Sequence, residues 1–122
     1  SKPIDFMESS IEDDDIIIVD NAAGGYGSGF VSGVNFPDNK LYFWDRLNWN
    51  VEEAYKAFGE TVYTLDNLKD YKGRIWVVSD NDESLLNAVI EELGGDIEVL
   101  CYERFDTKYQ GYQYAISLIE RK

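Results

Sequence analysis

Ile16, Ile17, Ile18 and Val19 form an unbroken β-branched run with the acidic stretch Glu12-Asp13-Asp14-Asp15 before it and Asp20 after it. β-Branched side chains are stiff at χ1 and favour extended backbone, and a run this short bounded by turn residues reads as a strand. With no polar residue alternating into it, the strand over residues 15–20 must be buried on both faces. That requires a parallel or mixed sheet with a covering layer on each side. A second run of the same kind, Arg74-Ile75-Trp76-Val77-Val78, ends in the acidic turn Ser79-Asp80-Asn81-Asp82-Glu83.

The rest of the chain supplies the layers. Ser1-Lys2-Pro3 opens a short helix with Ile4, Met7 and Ile11 at helical spacing, and Glu12–Asp15 reads as a solvated turn rather than a metal site. A short helix is expected over residues 30–34, then a turn at Phe36-Pro37-Asp38-Asn39-Lys40 and a strand at Leu41-Tyr42-Phe43-Trp44. Asn50 with Glu53 has the capping-box spacing and predicts a helix over Val51–Phe58, stopped by Gly59. A third strand is expected at Thr61–Leu65, and Asp66–Gly73 is a polar connection with room for one helical turn. Ser84–Leu93 is amphipathic, with Leu85, Leu86, Val89, Ile90 and Leu93 on one face and Gly94-Gly95 as its stop. Asp96–Phe105 and Gln113–Arg121 alternate in part and predict an antiparallel hairpin at a sheet edge, closed by a loop containing Gly111. The expected fold is a single α/β domain over residues 1–122: three layers, a Rossmann-like mostly parallel sheet, and the C-terminal antiparallel hairpin at one edge.

Composition bounds the function. The 122 residues suffice for one core and not for two. Against 11 Lys and Arg stand 24 Asp and Glu, a formal charge of −13, which disfavours nucleic acid and anionic membranes as partners. Hydrophobic residues at 44 % and aromatics at 15 % exclude disorder. Cys101 is the only cysteine and histidine is absent, so there is no internal disulfide, no cysteine-based metal site and no Ser-His-Asp set. No apolar run has membrane-spanning length. A start at Ser1 without methionine fits a processed protein or one cut from something longer.

Three groups of residues carry chemical possibilities. Gly27-Ser28-Gly29-Phe30-Val31-Ser32-Gly33 has the form GxGxxxG, and bare backbone N–H groups after a central strand are suited to an anion or nucleotide. In a dinucleotide fingerprint the glycines follow the strand at once; here Asp20, Asn21, Ala22, Ala23, Gly24, Gly25 and Tyr26 intervene, and no lysine completes a P-loop. A mobile or contact loop is therefore the favoured reading. Asp80 and Asp82 resemble the paired carboxylates that hold a hard divalent cation, but N-capping of the following helix by Asp80 with Glu83 is favoured. Tyr102, Tyr109, Tyr112 and Tyr114 with Trp44, Trp49 and Trp76 suit a sugar-binding or protein-binding surface, or core packing.

Four segments carry a family resemblance: Phe36-Pro37-Asp38-Asn39-Lys40 with Tyr42; Trp49 through Gly59; Lys72-Gly73-Arg74-Ile75-Trp76-Val77-Val78; and Thr107-Lys108-Tyr109 running through Tyr112 and Tyr114 to Glu120. Together they resemble the soluble C-terminal domain of bacterial multi-pass membrane glycosyltransferases of the protein-mannosyltransferase and aminoarabinose-transferase type. The resemblance implies a non-catalytic accessory domain, excised from the C-terminus of a larger membrane protein that moves a sugar from a polyprenyl-phosphate donor. It implies placement on the extracytoplasmic face, the membrane-embedded remainder of the chain as partner, and a glycan or lipid-linked sugar nearby. It carries over no catalytic residue, no metal and no cofactor. The expected contact residues are Asp20, Asn21, Gly24, Gly25, Tyr26, Gly27, Ser28, Tyr42 and Trp44, with Asp80 and Asp82 as a further binding pair. The alternatives are a free-standing nucleotide- or metal-binding α/β protein and a soluble protein-interaction module.

Overall fold

The computed structural model describes residues 2–20, 35–44, 62–63, 68–80, 83–107 and 112–122. Within them lie helix α1 (Lys2–Glu8), strands β1 (Ile16–Asp20), β2 (Leu41–Trp44), β3 (Val62–Tyr63) and β4 (Gly73–Asp80), helix α2 (Ser84–Leu93), and strands β5 (Ile97–Thr107) and β6 (Tyr112–Arg121). The strands form one sheet in the order β3-β2-β1-β4-β6-β5. β3, β2, β1 and β4 run parallel, β6 is antiparallel to β4, and β5 is antiparallel to β6. The fold is therefore α/β with a mostly parallel, Rossmann-like sheet ending in an antiparallel hairpin, as the two unbroken apolar strands predict.

Both strands that anticipate burial on two faces have it. Ile17, Val19, Trp76 and Val78 face α1, whose Ile4 and Met7 join them; Leu118 and Ile116 of β6 complete that layer. Ile16, Ile18, Ile75 and Val77 face α2 and meet Leu85, Leu86 and Val89. The register Ile16↔Ile75 through Val19↔Val78 keeps each layer in step across β1 and β4. Side chains such as Ile18 and Ile75 are wholly buried, each stabilising the fold by about 1.5–3 kcal/mol.

Several expected boundaries shift. β4 runs on through Ser79 and Asp80 instead of turning there, because Ser79↔Ala115 and Asp80↔Tyr114 extend its ladder with β6. The hairpin's second strand, β6, is interior and only β5 lies at the edge. α2 matches its expected span, and Gly94 at φ 63° ends it with its N–H donating to the Ile90 carbonyl. The expected helices at residues 30–34 and 51–58 lie outside the described residues.

Candidate functional site

Parallel strands place their carboxyl ends side by side, and adjacent strands lie about 4.8 Å apart. Asp20, the last residue of β1, pairs in register with Trp44, the last of β2. Val19 pairs with Val78, so Asp20 comes level with Ser79 one residue short of the end of β4. Asp80 ends β4 opposite Tyr114. Along the carboxyl edge Trp44, Asp20, Ser79, Asp80 and Tyr114 thus follow in order across four neighbouring strands, with Ser79 and Tyr114 buried. Trp44 is half-buried against the α2-side core, while Tyr114 belongs to the α1-side core.

The described residues that follow β1 and β4 pack on opposite faces of the sheet as the chain continues. After β1 it returns to β2 through Phe36, which is buried in the α1-side layer. After β4 it enters α2, which covers the opposite layer. Adjacent parallel strands whose connections lie on opposite faces mark the topological switch point, at which open α/β sheets hold their ligands. Here it lies between β1 and β4.

The expected binding residues distribute as follows. Asp20 and Asp80 stand at the two strand ends that flank the switch point. Trp44 is one strand away. Tyr42, two residues back in β2, is only 5 % exposed and packs with Ile16, Ile18 and Leu85, so it is a core residue beneath the edge. Asn21, Gly24, Gly25, Tyr26, Gly27, Ser28 and Asp82 lie outside the described residues. The N-capping role expected of Asp80 with Glu83 is corrected: Asp80 is in the strand, and Glu83 occupies the N-cap position with no side-chain cap bond. Sequence reasoning missed Ser79, whose hydroxyl donates to the Ala115 carbonyl at 3.4 Å, because nothing local reveals that β6 lies beside β4. Among the described residues no group of three or more metal-ligating side chains comes together.

The opposite, amino-terminal edge is also polar, and its polar groups are satisfied internally. Asp15, 3 % exposed, sits just ahead of β1. Its Oδ1 accepts from Arg74 Nε at 2.9 Å, and its Oδ2 accepts from Arg74 Nη2 at 3.1 Å, Trp76 Nε1 at 2.8 Å and the Glu12 backbone N–H at 3.0 Å. Arg74 also donates to the Ser10 carbonyl at 2.8 Å, and its bond to Asp15 raises the guanidinium pKa. Asn39 Nδ2 donates to the Glu12 and Asp15 carbonyls, fastening the turn before β2 to the same corner. Nearby, burial first and the Asp15 charge second push the Tyr71 phenol above its ordinary range. Arg121 closes the neighbouring corner by donating to the carbonyls of Leu68, Lys69, Tyr71, Leu93 and Gly94. These cationic side chains bind the chain to itself, which leaves the carboxyl edge as the candidate site.

No family model matches the chain, and no curated protein does. Solved structures similar to it include a provisionally assigned tRNA methyltransferase of Streptococcus pneumoniae in complex with S-adenosyl-L-methionine, at 12 % identity and TM-score 0.46, over 99 % of this chain and 72 % of that one. The complex of aTrm5 with tRNALeu matches at 11 % identity and TM-score 0.43, over 99 % of this chain and 45 % of that one. Precorrin-6y C5,15-methyltransferase from Geobacter metallireducens matches at 16 % identity and TM-score 0.43, over 98 % of this chain and 88 % of that one.

None of these is a membrane glycosyltransferase domain, and the resemblance to that family is withdrawn. With it go the accessory role, the partnership with a membrane-embedded remainder, the glycan or lipid-linked sugar and the extracytoplasmic placement. The physical reason is that the words carrying it are packing words. Phe36, Tyr42, Ile75–Val78 and Tyr114 are buried in the two layers of the core, positions that any sheet of this kind must fill. No helix among the described residues is long and apolar enough to cross a membrane. The exclusion of nucleic acid is corrected as well, since one similar structure is a tRNA complex. Net charge is a sum over the chain and weakens binding to phosphates without deciding which surface meets a partner.

Proposed function

We propose that this chain is a nucleoside-binding α/β protein that holds its ligand in the crevice at the carboxyl ends of β1 and β4. The observation that supports this reading is the switch point itself, with Phe36 of the β1–β2 connection packed on one face of the sheet and α2, which follows β4, on the other. The ligand class follows from charge. From Asp15 to Asn39, and again from Ile75 to Thr107 with the exception of Arg104, the sequence has no lysine or arginine, while both strands end in aspartate. The stretches that follow β1 and β4 therefore offer a triphosphate no lysine or arginine up to Asn39 and Glu103. Carboxylates accept from hydroxyl and amino groups and favour positive charge, so a nucleoside of low negative charge fits, and the half-buried Trp44 offers an apolar ring beside it.

S-Adenosyl-L-methionine, the compound held by the Streptococcus pneumoniae neighbour, is an adenosyl sulfonium with those properties and is the first ligand to try. Thermal unfolding with S-adenosyl-L-methionine, adenosine and ATP tests the reading. At 100-fold excess over its dissociation constant a ligand stabilises the fold by about 2.7 kcal/mol. The adenosyl sulfonium and adenosine are expected to raise the midpoint and ATP is not. No response to any of the three, or a response to ATP alone, contradicts the proposal.

A further inference from the structure

Val99, Leu100 and Tyr102, at 47 %, 42 % and 38 % exposure, are the exposed large hydrophobic residues of the described structure, and all fall within four positions of the edge strand β5. A β-bulge at Leu100 brings Val99 and Tyr102 to one face. Ahead of it Val99 pairs with Ile119, and beyond it Tyr102 pairs with Ser117, with the register slipping between Val99 and Cys101. Strict alternation would put residues 99 and 102 on opposite faces; the slip puts both on the α2 side, where Tyr102 Oη donates to Glu83 at the start of α2. Ile97, packed in the α2-side core, and Cys101, packed against the α1-side core, fix the two faces. Among the described residues β5 pairs only with β6, so its outer backbone edge carries no ladder.

The rim of this patch is acidic. Glu83, Asp96, Glu98 and Glu103 are exposed on the strand, its approach and the start of α2. The cations beside them are Arg104 and Lys122, and Lys122 is held by Glu98 at 3.0 Å. A chain of charge −13 repels a second copy of itself as well as phosphate backbones and anionic bilayers. From this apolar strip on an open strand edge, bordered by carboxylates, we infer that β5 docks an extended, basic segment of a partner protein, with apolar side chains on Val99, Leu100 and Tyr102 and Lys or Arg against the rim.

The probe is an acetylated, amidated peptide of alternating valine and lysine, titrated into the isotope-labelled protein and compared with its valine–glutamate counterpart. Amide shifts confined to Ile97–Thr107, no binding of the glutamate peptide, and at least tenfold weaker binding by Leu100→Asp support the inference. Val99→Ser gives the same reading at a second position, and both substitutions are at exposed sites, where the fold tolerates them. Equal binding by the variants, shifts spread over the whole surface, or no binding overturns it. Self-association of the unliganded protein that Leu100→Asp abolishes also overturns it, by assigning the strip to a second copy.

Discussion

Replacing Asp15 with alanine removes the acceptor on which the amino-terminal corner converges. Four donors lose their partner: Arg74 Nε and Nη2, Trp76 Nε1 and the Glu12 N–H. Trp76 is wholly buried, so its indole N–H finds no water, at a cost of about 1–3 kcal/mol. Arg74 keeps 24 % side-chain exposure and regains some hydration, which places the broken pair near the low end of the roughly 3–5 kcal/mol for a buried one. The losses share one carboxylate and do not add, so about 3–4 kcal/mol is expected, a large part of the roughly 5–15 kcal/mol available to a domain. In urea, with a slope of about 1–3 kcal/mol per molar, the midpoint falls by roughly 1–4 M. Asp15→Asn retains one acceptor but turns its NH2 toward a donor, and falls between the two. A loss below about 0.5 kcal/mol for Asp15→Ala, the range of an ordinary surface substitution, refutes the reasoning.

Arg121→Ala deprives five carbonyls of a donor at the end of α2 and in the 68–71 turn; faster amide exchange in the last turn of α2, with a loss of about 2 kcal/mol, is the expected result. Gly73→Ala meets a φ of 137° and puts a methyl 2.9 Å from Tyr71 Oη, so it costs about 1–3 kcal/mol by chemical denaturation, and adding Tyr71→Phe relieves part of the clash. Because the folded Tyr71 has a raised pKa, its stability contribution is intact below the unfolded value of about 10 and is lost as pH rises from there through the folded value. The gap between wild type and Tyr71→Phe, measured by denaturation at stepped alkaline pH, therefore shrinks above about pH 10.

What the sequence reveals is local and periodic. Ile16–Val19 and Ile75–Val78 announce doubly covered strands with no partner known, and Leu85, Leu86 and Val89 with Gly94 define α2 to the residue. What it hides is pairing. Nothing near Ser79 or Asp80 indicates that β6 lies alongside and keeps both in the ladder, so a turn and a helix cap are the natural local reading. The Asp15–Arg74–Trp76 cluster is likewise invisible, because its members are about 60 positions apart and Asp15 is embedded in an acidic run that otherwise reads as solvated. The candidate site is half legible. Asp20 and Asp80 are singled out by ending apolar runs, but only the strand order makes β1 and β4 neighbours and brings the two strand ends to the flanks of the proposed crevice.

Amide chemical-shift mapping with S-adenosyl-L-methionine tests that crevice most directly. The largest shifts are expected at the carboxyl edge, on Trp44, Asp20, Ser79, Asp80 and Tyr114, and Asp20→Ala and Asp80→Ala are each expected to weaken binding. Shifts centred instead on the amino-terminal corner at Ser10, Asp15 and Arg74, or binding unchanged in both variants, contradict it.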